Sequence, residues 1–397
     1  MESWDAIVVG LGAAGSAALY QLAKRGVRVL GIDRFDPPHE AGSSHGDTRI
    51  TRLAIGEGEA YVPLALRTYE LWREVESLTD RSLLVATGGL WISSAARRAE
   101  THVAHFFRNT LAAARQFRIR HEILTSFEIR HRFPQFEVAA NEIGYFEPQA
   151  GYVRPEACVG VHLALAASHG AAIRPNEAVL EITESRGVTV RTERGLYSAD
   201  RVILCVGAWV AQFLPPEYAR LFTVSRQVLH WFETRGPIED FQAPAFPVFI
   251  WELQRNRNVI YGCPAIDGRF GGLKVATELY DETVDPDSPA RRVVTAQEER
   301  TMYEELVEPY IPGVGPRCVK SVACLYTATP DFHFVIDRHP RMERVIVSSA
   351  CSGHGFKHSA AIGEALADLV TEKPLRVDLA PFSWDRFGLA RGTRGLQ

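Results

Sequence analysis

The spacing of apolar positions changes several times along the chain, and each change marks an element. Ala6-Ile7-Val8-Val9 is a short apolar run that stops at Gly10, as a buried strand does. Over residues 16–24 the period is helical, with Leu19, Leu22 and Ala23 on one face, and Gly26 stands where that helix would end. Val27-Arg28-Val29-Leu30-Gly31-Ile32 predicts a second strand with Asp33 at its end. Residues 37–52 are rich in Gly, Ser and Arg without periodicity and read as an ordered loop. Helical spacing returns over 61–75, through Leu64, Leu66, Leu71 and Trp72, and again over 156–169. The continuous apolar run 202–209 suits a strand buried on both faces. Alternation such as Gln227-Val228-Leu229-His230-Trp231-Phe232 predicts an antiparallel sheet exposed on one side. Val345-Ile346-Val347 then leads to a helix carrying Ile362, Leu366, Leu369 and Val370.

This order of textures predicts an α/β fold in which one domain is visited three times, over 1–88, 150–222 and 327–390. It is a Rossmann-like, dinucleotide-binding domain. Two excursions, 89–149 and 223–326, build a second α+β domain on a mainly antiparallel sheet, expected to hold substrate. At 397 residues two domains are the natural expectation.

The first chemistry lies in Gly10-Leu11-Gly12-Ala13-Ala14-Gly15, a G-x-G-x-x-G sequence between strand and helix. Gly10 permits the tight turn, Gly12 lets backbone approach a pyrophosphate, and Gly15 lets helix pack on strand. The helix N-terminus supplies N–H donors and positive dipole. Asp33 can accept hydrogen bonds from ribose hydroxyls and would repel a 2′-phosphate, which favours FAD or NAD over NADP. A glycine-rich turn without ligand is the alternative. The complete β-α-β unit with its terminal acid weighs against it.

Composition narrows the partners. A formal net charge of −4 and a pI near 6.4 favour neither nucleic acid nor an anionic membrane. Arg108, Arg115, Arg118, Arg120, Arg130 and Arg132 are interrupted by Glu122 and Glu128 and read as a solvated face. The six cysteines form no C-x-x-C pair and no metal-ligand spacing, so no metal is expected. No secretory signal and no run approaching the ~20 residues of a membrane span is read. The expectation is a cytoplasmic protein with free thiols.

Three stretches carry a resemblance. They are Gly42-Ser43-Ser44-His45-Gly46-Asp47-Thr48-Arg49-Ile50-Thr51-Arg52 with Gly56-Glu57-Gly58 and Tyr61-Val62-Pro63; Cys324-Leu325-Tyr326-Thr327 with Asp331 and Phe334-Val335-Ile336-Asp337; and Ser352-Gly353-His354-Gly355-Phe356-Lys357. In this order they resemble the family of monomeric sarcosine oxidase and N-methyltryptophan oxidase. The resemblance implies an FAD-dependent amine oxidase, a monomer, that converts a small N-substituted amino acid to an imine with release of hydrogen peroxide. It implies FAD bound covalently through Cys324, and Lys274 as the lysine that activates oxygen. Arg52 and Lys357 match the cations that hold the substrate carboxylate. His45, Arg49, Tyr261 and Tyr326 match residues lining the flavin and substrate cavity. Ser43, Ser44, Gly207, Gly353, Gly355 and Phe356 join Gly10, Gly12, Gly15 and Asp33 against the cofactor.

The chain departs from the family around the substrate. Leu53-Ala54-Ile55 replaces a common His-Ala-Tyr, and the loop between Pro264 and Lys274 is slightly longer. Glu278 stands where sarcosine oxidase has histidine, which suits a substrate with an extra polar or cationic group. Fructosyl amino acids and cyclic secondary amino acids stay open as substrates, as does a dehydrogenase with another acceptor. A non-enzymatic nucleotide-binding protein is the remaining alternative. Taken one by one the residues have plainer readings. Cys324 alone is a packing residue and Lys274 a solvated one. His45 and His354 would hold loops, and Glu278 would be a surface carboxylate. Arg49 and Arg52 share a face only on a helix, and otherwise pair with Glu57 or Glu59.

Overall fold

A computed structural model describes residues 2–94, 103–254, 258–280 and 282–389. Parts of the expected domain ranges, at 1, 95–102, 255–257, 281 and 390, lie outside the described residues. The first sheet is built around Glu2–Val9. Val29–Ile32 and Leu196–Leu204 flank it in parallel, Ala172–Arg174 follows beyond the former, and Met342–Ser349 lies parallel beside the latter. Ala6 to Val9 and all of Val29–Ile32 are buried, as strands covered on both faces must be. The helix Ala13–Lys24 packs between Pro155–Ser168 and Ser359–Val370 on one face. Gly363 permits that approach, since a Cβ there would fall 2.4 Å from Ala17 Cβ.

The apolar run 202–209 is strand only as far as Leu204. Cys205 still donates its N–H to Val9 O at 2.8 Å, but the neighbouring strand turns away at Gly10 and offers no further ladder. The chain turns at Gly207, φ +53°, into the 3₁₀ segment Gly207–Phe213.

Among the described residues the second sheet has eight strands, in the order Val314–Ala328, Thr223–Thr234, Leu273–Thr277, Val259–Cys263, Val248–Glu252, Gly89–Ser94, Glu142–Glu147 and Glu122–Thr125. All pairs are antiparallel except Val248–Glu252 with Gly89–Ser94. One expectation fails here. Thr223–Thr234 is not exposed on one side but buried from Ser225 to Phe232. One face looks toward the first sheet. The other is covered by the segment Met302–Val307, whose Met302, Tyr303 and Leu306 share a core with Phe232. A short third sheet ties Arg49–Thr51 and Leu84–Ala86 to Gly151–Val153. The six arginines read as a solvated face are all exposed. Among the described residues no helix is long and apolar enough to cross a membrane.

Candidate functional site

A cavity of about 540 Å³ lies between the carboxyl ends of the parallel strands and one face of the antiparallel sheet. In open α/β sheets ligands bind outside those strand ends. Seventeen of the nineteen residues singled out from the sequence line it; Gly15 and His45 do not.

At one end is the glycine turn. Gly10 has φ +86°, and a Cβ there would fall 2.4 Å from Cys205 O. A Cβ on Gly15 would fall 1.8 Å from Gly10 O, so Gly15 serves the packing of helix on turn. Gly12, Ala13 and Ala14 face the cavity where the helix begins, and Ala13 N–H donates to Ser44 Oγ at 3.1 Å. Asp33 is held by main chain, its Oδ2 accepting from Leu11 N–H at 2.7 Å and its Oδ1 from Phe35 N–H at 2.8 Å. A cradle without side chains, N–H groups at a helix start and a fixed acid at the strand end together fit the pyrophosphate and ribose of FAD. Gly10→Ala is therefore expected to lower both thermal stability and the flavin-to-protein ratio of the purified protein. The left-handed backbone alone costs an alanine roughly 1–2 kcal/mol, and the clashing oxygen is main chain. Unchanged flavin content would refute this assignment.

The other end is one face of the antiparallel sheet. Side chains alternate along a strand, so cross-strand partners share a face. Lys274 pairs with Trp231 and Cys263, Ala276 with Leu229 and Tyr261, and Gln227 with Cys324. Lys274, Tyr261, Cys324 and Tyr326 thus converge from three strands. Lys274 Nζ donates to Gly46 O at 2.7 Å, Thr48 O at 2.8 Å and Thr48 Oγ1 at 3.3 Å, and lies 5.2 Å from the Trp231 ring centre. Burial, then Arg49, pulls its pKa down to about 8. The Tyr261 and Tyr326 hydroxyls are 3.1 Å apart, and burial raises both phenol pKa values, so both stay neutral. Burial likewise pushes the Cys324 thiol up, against Arg49 and Lys274. Cys205, Cys263 and Cys351 also line the cavity, which the sequence did not reveal.

Arg49 and Arg52 do not share a helical face, because Arg49–Thr51 is a strand. Arg49 donates to Ser43 O and Thr48 O, both at 2.9 Å, and so closes its own loop. Arg52 is buried, with its guanidinium 5.0 Å from the Phe106 ring centre. Its Nη2 meets Glu57 Oε2 at 2.5 Å, while Lys357 Nζ meets Glu57 Oε1 at 3.0 Å and His354 O at 2.8 Å. Glu57 thus joins two cations about 300 positions apart in the chain. Sequence reasoning named it only as an ion-pair partner; its place in Gly56-Glu57-Gly58 was the available signal. His354 lines the cavity, with Nδ1 3.8 Å from the same carboxylate. His45 is buried outside the lining, and burial, Arg49 and Lys274 lower its pKa to about 3, so it is neutral. Glu278 is not a surface group: it is partly buried and lines the cavity.

A family model described as FAD dependent oxidoreductase matches residues 5–369. A monomeric sarcosine oxidase of Streptomyces avermitilis is 40% identical over 369 residues, 92% of this chain and 93% of that protein. The N-methyl-L-tryptophan oxidase of Yersinia pestis is 37% identical over 97% of this chain and 99% of that one. Among solved structures NikD, an amino acid oxidase essential for nikkomycin biosynthesis, has a TM-score of 0.82 at 25% identity, covering 96% of this chain and 98% of that one.

Proposed function

The chain belongs to the FAD dependent oxidoreductase family, and from that premise we propose that it oxidises the C–N bond of a small N-methyl or secondary amino acid. Oxygen is the acceptor, and the products are an imine and hydrogen peroxide. Relatives at 37–40% identity, named for sarcosine and for N-methyl-L-tryptophan, support this reading. In it residues 1–88, 150–222 and 327–390 hold FAD, 89–149 and 223–326 hold substrate, and the protein acts as a cytoplasmic monomer.

The observation that carries the proposal is the buried group Arg52–Glu57–Lys357. Two cations face one carboxylate, so the group keeps one positive charge in a place poor in water. An α-carboxylate balances it. FAD supplies the two-electron acceptor when bound. The chain supplies the rest. Arg52 and Lys357 fix the carboxylate, and with it the direction of the neighbouring C–N bond. Tyr261 and Tyr326 wall the site with neutral hydroxyls. Cys324 Sγ ties the cofactor by a thioether, and Lys274 places positive charge where oxygen takes up electrons.

A charge-assisted hydrogen bond contributes about 1.5–3 kcal/mol net, equivalent to roughly one to two powers of ten in affinity. Arg52→Gln and Lys357→Gln are each expected to weaken binding of a simple carboxylate by that much, read as flavin absorbance changes on titration. The two act on one group, so the double variant should fall short of the sum. Wild-type affinity in both single variants, with flavin retained, would remove the amino-acid reading. A panel of N-methyl, cyclic and glycated amino acids assayed for peroxide tests the substrate class.

The same site sets a pH dependence. Burial pulls Lys357 down to about 8 against the opposing pull of Glu57. The ammonium is charged below that pH and neutral above it. Carboxylate affinity should therefore be flat below pH 8 and weaken as pH rises through it. Lys357→Gln should abolish that step. A step that survives in the variant assigns it to another group.

A further inference from the structure

We infer that Glu278 selects amino acids whose side chain ends in a cation, an ammonium or a guanidinium. The inference rests on the function proposed above and adds the class of side chain.

Position comes first. Lys274 lies in the strand Leu273–Thr277, Glu278 is the first residue beyond it, and both line the cavity. At about 3.3 Å per residue they stand roughly 13 Å apart along the chain. Ala276, between them, pairs with Tyr261. Glu278 therefore lies on the far side of Tyr261 from Lys274, away from the end where oxygen is to react. It lines the same cavity as Arg52 and Lys357, and its charge reaches Lys357, Tyr261 and Tyr280. Ile250 and Val259, from the two adjoining strands, also line the cavity and give an apolar path for methylene groups.

Charge comes second. At the substrate end the α-carboxylate balances the single positive charge of the Arg52–Glu57–Lys357 group, and Glu278 adds a further negative charge to the same cavity. The amine must be neutral to be oxidised. A cationic side chain restores the balance. An acidic one would meet a carboxylate, and an aliphatic one would bring no opposite charge to it.

The test uses the flavin-loaded protein. Hexanoate and 6-aminohexanoate differ only by a terminal ammonium, and neither carries an amine beside its carboxylate. Titrated by flavin absorbance, 6-aminohexanoate is expected to bind about tenfold more tightly or better, and Glu278→Gln to erase the difference. Anaerobic flavin reduction should likewise favour Nα-methyl-L-lysine over Nα-methyl-L-norleucine about tenfold. The wild-type comparisons stand even if the variant does not fold. Equal binding and equal reduction of the two members of each pair overturn this inference and leave the proposed function intact. So does a preference that survives in Glu278→Gln. A flavin that none of these amino acids nor sarcosine reduces overturns the proposed function, and this inference with it.

Discussion

Acid precipitation of the purified protein is expected to leave the yellow colour in the pellet, and Cys324→Ala to move it to the supernatant or to yield colourless protein. A thioether does not depend on the fold, whereas hydrogen bonds to a nucleotide vanish with it. Four cysteines line the cavity, so the assignment needs a physical reason. Cys324 shares its sheet face with Lys274 and Tyr261, and both Arg49 and Lys274 favour its thiolate against the burial that opposes it. The thiolate is the nucleophilic form of cysteine. Cys205 sits instead beside the glycine turn, against Gly10 and Gly15, and its thiol is pushed up to about 12 by burial. Cys351 accepts Thr327 N–H at 3.4 Å. Cys351→Ala and Cys263→Ala should both keep the colour in the pellet. The intact chain should weigh more than its sequence by one FAD. Wild-type flavin that washes out on denaturation defeats the covalent assignment, and retention in Cys324→Ala moves it to another thiol.

How much of this was legible in the sequence depended on whether the signal was local. The turn at Gly10, the helix behind it and Asp33 lie within about thirty residues, and local spacing sufficed. Cys324 and Lys274 have no local mark. Only a resemblance spanning most of the chain singled them out, and only the sheet register brings them to one face. The strand Thr223–Thr234 was read with one wet face because alternation within a strand does not reveal what a distant segment, here Met302–Val307, lays over it. Arg52 and Lys357 were both named, yet their meeting on Glu57 is a contact across 300 positions that no window contains. Glu278 shows the converse. Its departure from the family pattern was visible, but its place on the cavity wall was not.

Lys274→Met is expected to slow reoxidation by oxygen by roughly two to three powers of ten, the usual loss when a fixed donor to developing charge is removed. Anaerobic reduction by substrate should change far less. The lysine is buried at 4% exposure, where charge is poorly screened and therefore acts strongly. Its three hydrogen bonds hold it against Gly46 and Thr48 while it still lines the cavity. Those bonds also supply the rival account, in which Lys274 merely pins the loop that carries Arg49. Stopped-flow separates the two. A pinned loop shapes the substrate space, so its loss would slow both half-reactions alike, whereas loss of charge alone would spare reduction. The pH profile gives a second reading. Burial and Arg49 bring Lys274 to about 8, so it is charged below that pH and neutral above it. Oxygen reactivity of the wild type should fall as pH rises through about 8, and the methionine variant should show the low rate throughout. A profile that keeps its step in Lys274→Met would place the titrating group elsewhere and leave the lysine with its loop.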